Sequence, residues 1–331
     1  MAMPASDVSA LVLTLGEPTT ERALESIRRQ TLAAREIIRV RDVRPFHQAM
    51  NAGVAKVRTP FFVQVDADMI LDPTCIARLR AEMSDDAGIV VGRLRDELVG
   101  EVVGVKLFRT RCFDGIAFQN SISPDTDFGK DIAAARWKTI YAGARGETGA
   151  ESWTMFGEHR PDYTTEYTYK KYLLEGRRYR YRDRIGGIRW HFGRLEASRH
   201  PASMVAQIAL SRGIFIAAED DLLGTLHIDR ELEMVRDFLC VAENAPPAQR
   251  LTFSPDASED ELFTACYRIG SELFRARSLA TLRFALDELP TRKSDRNWII
   301  KVALCEGLLA QPPEQHRIDA DWRTLQAFLN R

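Results

Sequence analysis

Short apolar runs and amphipathic stretches alternate along the N-terminal part of the chain. Apolar runs that contain β-branched residues predict strands at 8–15, 36–41 and 61–65. Between them, apolar residues recur at helical spacing over 21–30 and 46–56. A chain that alternates strand, helix, strand, helix, strand folds as a parallel sheet covered by helices. The N-terminal part is therefore expected to be an α/β unit.

Three of these predicted strands end at residues that could contact a ligand. Gly16 follows the first strand, Asp42 the second, and Asp66 and Asp68 the third. Ligands of open parallel sheets bind beyond the carboxyl ends of the strands, so these positions predict a single site. Two carboxylates two residues apart in an extended segment face the same side, and they repel each other unless a cation lies between them. Asp66-Ala67-Asp68 is therefore a candidate metal site, and a solvated turn is the alternative interpretation.

The pattern stays mixed after the third strand. A helix is predicted at 75–83, and alternating residues predict a hairpin over 88–109. An acidic loop at 123–127 opens a helix, with Asp125 and Asp127 at its positive N-terminal end. The remaining elements predicted here are strands at 137–142 and 153–156, separated by a glycine-rich loop at 144–150.

The C-terminal part has a mainly helical pattern. Aromatic and basic side chains crowd residues 163–181, and helical periodicity dominates from residue 201 onward. We therefore expect an α/β domain over 1–195 and a helical domain over 196–331. A helical domain that starts near residue 161 is the alternative.

Composition and charge narrow the class of protein. The 331 residues exceed one typical core, which supports two domains. The formal net charge of −1 gives no basic field, so no nucleic-acid partner is expected. No apolar run is long enough to span a bilayer, and the N-terminal run lacks the preceding basic residues of a signal peptide. The five cysteines are scattered without a C-x-x-C pair, which favours reduced thiols in a cytoplasmic protein.

The N-terminal part resembles family 2 glycosyltransferases, which have the GT-A fold. The resemblance spans roughly residues 8–160, and its most specific part is the apolar strand that leads into Asp66-Ala67-Asp68. The matching stretches lie at 8–26, 37–42, 51–53, 61–72 and 107–109. The turn after the first strand and the loop after Asp42 depart from the family pattern. We therefore expect unusual binding contacts to the base or ribose of the donor. The implied fold class is an α/β GT-A sheet followed by a helical region.

The resemblance implies transfer of a sugar from a nucleotide-diphosphate sugar to an acceptor hydroxyl, with inversion, in a single displacement. Asp68 would ligate Mn²⁺ or Mg²⁺, and Asp66 would contact the ribose or a metal-bound water. Asp42 would accept hydrogen bonds from the donor base. The implied nucleotide-sugar-binding residues are Leu15, Gly16, Glu17, Asp42, Asp66, Ala67 and Asp68.

The family also has a general base at a helix start and, in many members, a late histidine at the metal. Asp125 is the first candidate for the base, Asp127 the second, and Glu166 the alternative. The base would deprotonate the acceptor hydroxyl, which typically contributes ~10²–10⁴ in rate. His159 is the candidate that would complete the metal site with Asp68 and Asp66, and His191 is its competitor.

Partners and location are expectations of the same kind. The acceptor would be a glycan, a lipid-linked acceptor or a protein, as in polysaccharide biosynthesis. For the helical region, acceptor binding, a homodimer contact and a membrane contact through the stretch at 177–184 all stay open. The basic and aromatic side chains of this stretch fit anionic glycans or lipid headgroups, and ordinary packing is the alternative. The expected location is cytoplasmic, with attachment to the inner face of the membrane as a variant. Two other functions stay open, a GT-A-like binding protein without catalysis and a sugar nucleotidyltransferase.

Overall fold

The computed structural model describes residues 6–143, 154–216, 228–240, 249–289 and 294–330. The chain divides into two compact units, Met1–Pro161 and Asp162–Arg331. The expected domain boundary at 195 assigns residues 162–195 to the α/β domain. In the structure these residues belong to the helical unit, because their first helix packs along a later helix of that unit. The division therefore falls near the alternative boundary.

The first unit alternates strands and helices in the predicted order. Its strands are β1 (Val8–Thr14), β2 (Ile37–Arg41), β3 (Phe61–Asp66), β4 (Met69–Leu71), β5 (Ala87–Asp96), β6 (Gly100–Arg109), β7 (Lys138–Tyr141) and β8 (Met155–His159). Its helices are α1 (Thr20–Arg28), α2 (Phe46–Val54), α3 (Cys75–Ala81) and α4 (Pro124–Ala134), with a 3₁₀ turn at Thr110–Phe113. β4 has no counterpart among the predicted elements. The glycine-rich loop predicted at 144–150 lies outside the described residues.

The eight strands form one sheet in the order β2-β1-β3-β6-β5-β8-β4, with β7 also paired to β5. β1 runs parallel to both β2 and β3, as the strand–helix alternation predicts, and β5 and β6 form the predicted hairpin. Both faces of β1 are buried, since Ala10 and Val12 belong to one core cluster and Leu11 and Leu13 to another. Burial on both faces explains why this strand is a continuous apolar run.

The chain crosses the end of the sheet between β3 and β4. β3 ends at Asp66, a turn that includes Asp68 follows, and β4 then pairs with β8. This corrects the expectation that the two aspartates share one face of an extended strand, because the turn redirects the backbone between them. Gly157 permits the close approach of β8 to β4. A Cβ atom there would overlap the carbonyl oxygen of Ile70 and would lie 2.9 Å from Leu71 Cα.

Helices are the regular secondary structure among the described residues of the second unit. Its helices are α5 (Thr165–Tyr181), α6 (Ile185–Ala197), α7 (Ser203–Phe215), α8 (Asp229–Leu239), α9 (Glu259–Arg275), α10 (Leu279–Glu288), α11 (Asp295–Leu309) and α12 (Gln315–Leu329). α5 and α7 cross closely at Gly176 and Gly213, where a Cβ on Gly176 would lie 3.0 Å from Gly213 Cα. α9 and α11 cross in the same manner at Gly270 and Gly307. The predicted α/β sheet followed by a helical region is confirmed.

Charged side chains lie inside this helical unit. Glu306 of α11 is fully buried, and its Oε1 atom accepts hydrogen bonds from Arg212 at 2.7 Å and Arg317 at 3.0 Å. Burial raises the pKa of Glu306 to about 7, although the charge of Arg212 acts in the opposite direction. Arg177, in the basic stretch of α5, is also buried. Among the described helices, none combines the length and apolar character needed to cross a membrane.

Candidate functional site

Asp66 lies partly buried at the carboxyl end of β3. The Nε2 atom of Gln64 donates a hydrogen bond to Asp66 Oδ1 at 2.8 Å. Burial, followed by the negative charge of Asp68, raises the pKa of Asp66 to about 6, whereas the ammonium group of Lys106 opposes the shift. The two carboxylates are thus close enough to repel each other, which is the electrostatic condition for binding a cation.

The imidazole ring of His159 lies between the carboxylates of Asp68 and Asp96. His159 Nε2 is 3.2 Å from Asp68 Oδ2, and His159 Nδ1 is 2.6 Å from Asp96 Oδ2. The backbone amides of Leu98 and Val99 each donate to Asp96 Oδ1 at 2.8 Å. Both His159 and Asp96 are buried. These contacts fix the orientation of the imidazole ring, with Nε2 toward Asp68.

Strand pairing explains why His159 reaches Asp68. Met69 of β4 lies opposite His159 of β8, and the amide of Arg160 donates to the carbonyl oxygen of Asp68 at 2.7 Å. β5 adjoins β8 on the other side, with Asp96 in register with His159. The sequence predicts that His159 follows the last strand of the sheet. The structure makes it the final residue of β8, where the pairing with β4 sets its position.

Helix α4 brings a third carboxylate to this end of the sheet. Asp125 Oδ2 accepts a hydrogen bond from Lys106 Nζ at 2.9 Å, and the charge of Asp125 contributes to the raised pKa of Asp66. Lys106 lies on β6, opposite Gln64 of β3. The first turn of α4 therefore places Asp125 close to the Asp66 carboxylate.

Asp127 contacts a different set of side chains. Ser121 Oγ donates to Asp127 Oδ2 at 2.6 Å, and Lys130 Nζ donates to Asp127 Oδ1 at 2.9 Å. These two contacts of Asp127 lie within α4 and the loop that precedes it. The contact of Asp125 with Lys106 instead joins α4 to β6 of the sheet.

Asn51 fixes the loop that precedes α4. Its Nδ2 atom donates to the carbonyl oxygen of Phe118 at 2.9 Å, and the amide of Phe118 donates to Asn51 Oδ1 at 3.0 Å. The Phe118 ring stacks on Phe128 of α4, with ring centroids 4.3 Å apart. The pair of hydrogen bonds and the stacked rings hold the first turn of α4, and with it Asp125, against the sheet.

β1 and β2 are neighbours in the sheet, and each is followed by an exposed residue. The amide of Asp42 donates to the carbonyl oxygen of Thr14 at 3.0 Å, and the side chains of Leu15 and Asp42 are both exposed. Gly16 has a φ of +92°. Glu17 Oε2 accepts hydrogen bonds from the Thr14 hydroxyl at 2.7 Å and from the Leu15 amide at 2.8 Å. Glu17 therefore holds its own turn, and Leu15 and Asp42 are the side chains available to a ligand.

The alternative base and histidine both lie in the second unit. Glu166, in the first turn of α5, accepts hydrogen bonds from Lys170 at 2.6 Å and from Arg236 at 2.9 Å, and these cations lower its pKa. The ring of His191 packs against the rings of Tyr172 and Tyr179.

The sequence reasoning missed Asp96, because an aspartate before a hairpin turn resembles an ordinary turn residue. Ala67 is buried, so its side chain is not available to a ligand.

The geometry around Asp68 suits a divalent cation. Two atoms that ligate one ion at right angles, each at about 2.1 Å, lie about 3 Å apart. The 3.2 Å separation of Asp68 Oδ2 and His159 Nε2 fits that arrangement. No group of three or more His, Cys, Asp or Glu side chains in the described part of the chain is arranged to hold a metal alone. A cation here would therefore take further oxygen ligands from phosphates or water, as Mg²⁺ commonly does.

Residues 43–124 match the model of the family named Glycosyl transferase family 2, which confirms the resemblance over this segment and supports a glycosyltransferase. A search of curated proteins finds no sequence match. Among solved structures, the chain is similar to mannosyltransferase PcManGT from Pyrobaculum calidifontis in complex with GDP-Man and Mn2+, with 14% identity, coverage of 72% of this chain and 81% of that chain, and a TM-score of 0.42. Bifunctional IspDF from Campylobacter jejuni shows 14% identity, coverage of 45% and 52%, and a TM-score of 0.27. S. aureus TarS 1-349 shows 10% identity, 90% coverage of both chains and a TM-score of 0.36.

Proposed function

We propose that the protein is a metal-assisted glycosyltransferase that moves a sugar from a nucleotide-diphosphate sugar to an acceptor hydroxyl with inversion. The observation that carries this proposal is the cluster at the carboxyl end of β3, where Asp68 lies against His159 and Asp66 interacts with Asp125. The family match adds support, since it contains Asp66 and Asp68.

The ends of β1 and β2 suit the base of the donor. A nucleotide base presents an apolar face together with N–H donors at its edge. Leu15 would contact the face, and the exposed carboxylate of Asp42 would accept from the N–H groups. Gly16 adds open space, because a Cβ atom there would have no neighbour within 4 Å. The glycine thus gives the ribose or phosphates access to the backbone of this turn.

Asp68 and His159 are the residues that would hold Mn²⁺ or Mg²⁺, and Asp66 would bind the ribose or a metal-bound water. The ion would offset the charge that develops on the departing nucleotide diphosphate, an effect worth several kcal/mol. Lys106 adds a fixed positive charge close to Asp66. The ammonium group of Lys106 would therefore also favour departure of the negatively charged nucleotide diphosphate.

Asp125 would act as the general base. Its carboxylate takes the proton of the acceptor hydroxyl while the acceptor oxygen forms a bond to the anomeric carbon. The bond from that carbon to the diphosphate oxygen breaks at the same time, so attack and departure occur on opposite faces and the configuration inverts. Lys106 positions the carboxylate through the 2.9 Å contact between Nζ and Oδ2. A base held in this manner typically contributes ~10²–10⁴ in rate.

Thermal unfolding with a panel of nucleotides tests the donor and metal assignments. UDP, GDP, dTDP and CMP, with the corresponding nucleotide sugars, would each be added with and without Mn²⁺. A nucleotide present at ~100 times its dissociation constant should raise the free energy of unfolding by roughly 2.7 kcal/mol. Asp68→Asn should abolish the Mn²⁺-dependent part of that shift. Asp86→Asn, which removes an exposed carboxylate paired with Lys138, is the matched control and should leave it intact.

Turnover of the donor separates an enzyme from a binding protein with the same fold. The nucleotide sugar that gives the largest shift would be incubated with the 331-residue chain, and release of the nucleoside diphosphate would be measured. A panel without any shift, or binding without release of the nucleotide, would contradict the proposed function. An unchanged Mn²⁺ dependence in Asp68→Asn would contradict the metal assignment alone.

A further inference from the structure

We infer that Asp96 is a positioning residue that fixes the ring orientation and the tautomer of His159, so that Nε2 is the atom presented to a divalent cation. This inference rests on the proposed function, because it places His159 at the same metal. Asp96 is buried. It lies at the end of β5, behind the imidazole ring, and touches Nδ1.

Each oxygen of Asp96 has a separate set of partners. Oδ1 accepts from the amides of Leu98 and Val99, which ties the carboxylate to the hairpin turn between β5 and β6. Oδ2 lies 2.6 Å from His159 Nδ1. A carboxylate accepts hydrogen bonds and does not donate them, so a neutral imidazole must carry its proton on Nδ1. The hairpin turn thereby sets which ring nitrogen is protonated.

The consequence falls on the opposite ring nitrogen. With the proton on Nδ1, the lone pair of Nε2 points toward Asp68 Oδ2 at 3.2 Å. A lone pair and a carboxylate oxygen repel each other at this distance, and a cation bound to both atoms removes the repulsion. Histidines that ligate metals generally give their other N–H to such a partner, and loss of the partner typically weakens metal binding by ~10–100-fold.

Asp96→Asn tests the tautomer without removing the hairpin contacts. The amide oxygen of the asparagine can accept from the amides of Leu98 and Val99, which directs its NH₂ group toward His159 Nδ1. The reverse orientation would set that NH₂ donor against two backbone donors. Nδ1 must then accept a hydrogen bond, so the ring proton moves to Nε2. A protonated Nε2 cannot ligate a metal.

Two measurements on the 331-residue chain address this inference. The first is the affinity for Mn²⁺, read from the electron paramagnetic resonance signal of the free ion, with Mn²⁺ alone and with UDP or GDP. Asp96→Asn should bind Mn²⁺ about 10–100-fold more weakly than the unsubstituted chain. Glu158→Gln is the matched control, because Glu158 adjoins His159 on β8 and pairs instead with Arg160. It removes the same charge and should change the affinity little.

The second measurement is made without metal. Nitrogen-15 NMR of labelled histidine reports which ring nitrogen carries the proton, at a pH where titration of the same signals shows a neutral ring. The chain has six histidines, so His159→Gln identifies the signal of His159. The unsubstituted chain should show the proton on Nδ1 and Asp96→Asn should show it on Nε2.

The outcomes distinguish this inference from the proposed function. If the unsubstituted chain binds Mn²⁺ and Asp96→Asn binds it equally well, or if the tautomer is the same in both, the role of Asp96 is overturned and the proposed function stands. If the unsubstituted chain does not bind Mn²⁺ with any nucleotide, the metal part of the proposed function fails, and the metal role of Asp96 fails with it. Weaker binding together with a moved proton supports the inference.

Discussion

The geometry of the site makes a specific prediction for the effect of Gly157→Ala on stability and on the site. Gly157 lies on β8, opposite Leu71 of β4, and these two strands bring His159 and Asp68 together. A Cβ atom at this position would meet backbone atoms of β4, which cannot rotate away as a side chain could. The substitution therefore acts on the spacing of the two strands, and the site should be affected with it.

The magnitude follows from the distances. The added Cβ would lie 2.9 Å from Leu71 Cα, and ordinary contact begins at 3.4 Å, so β4 must move by at least 0.5 Å, which is the difference between the two values. Overpacking of this kind costs about 1–3 kcal/mol. The φ of +155° at Gly157 disfavours a side chain and adds about 1–3 kcal/mol. The two costs together should lower the free energy of unfolding of the first unit by about 2–6 kcal/mol.

Urea unfolding followed by hydrogen exchange and mass spectrometry separates the two units. Peptides from β3 and β4 report on the first unit, and peptides from α11 report on the second, which should be unaffected. Mn²⁺-dependent nucleotide binding should also weaken, because a shift of β4 moves Asp68 relative to His159.

Gly129→Ala supplies the matched control within the same unit. Gly129 lies inside α4, and a Cβ atom there would have no neighbour within 4 Å. Alanine is favoured over glycine in a helix by about 0.5–1 kcal/mol, so this substitution should stabilise the first unit. Equal stability of Gly157→Ala and the unsubstituted chain, or a loss in Gly129→Ala as large as that in Gly157→Ala, would refute the reasoning.

Three further predictions follow from the contacts described above. Asp125→Asn should lower donor turnover by about 10²–10⁴-fold with donor affinity retained, whereas Asp127→Asn should lower turnover far less; equal losses in the two variants would count against Asp125 as the base. Burial raises the pKa of Glu306 to about 7, so the folded chain retains a proton that the unfolded chain has released. The free energy of unfolding of the helical unit should therefore fall as the pH rises from about 4.5 to about 7, by at most about 3 kcal/mol, and urea titrations should show that Glu306→Gln removes most of this slope. Gly176→Ala should destabilise the helical unit by about 1–3 kcal/mol in the same titrations, because α5 would be pushed from α7, and Gly186→Ala, with no neighbour within 4 Å of the added Cβ, should not.

The sequence predicted the parallel part of the sheet because local signals determine it. β1 and β3 are apolar runs bounded by polar turns, and α1 and α2 between them have helical periodicity. A parallel sheet follows from this alternation without knowledge of any distant contact. The same reasoning predicted that Asp42, Asp66 and Asp68 lie at strand ends.

β4 and the role of Asp96 could not be predicted in this way. β4 has three residues, and its partner β8 begins more than 80 positions later in the chain. A strand this short has too few positions to show an alternating pattern, and its pairing depends on close approach at Gly157. The function of Asp96 depends on the same long-range contact, because its ring partner His159 reaches it only through β8. The buried Glu306 was missed for a related reason, since its cationic partners lie on other helices.

The residues of the proposed site would contact two kinds of chemical group. Residues 43–124 include Asp66, Asp68 and Lys106, the groups that would interact with the diphosphate and its cation. These groups act on a leaving group that all nucleotide-diphosphate sugars share. Asp42 and Asp125 would contact the donor base and the acceptor hydroxyl, which differ from one donor or acceptor to another. Conversion to another donor base or acceptor should therefore require changes around Asp42 or Asp125, with the end of β3 kept as it is.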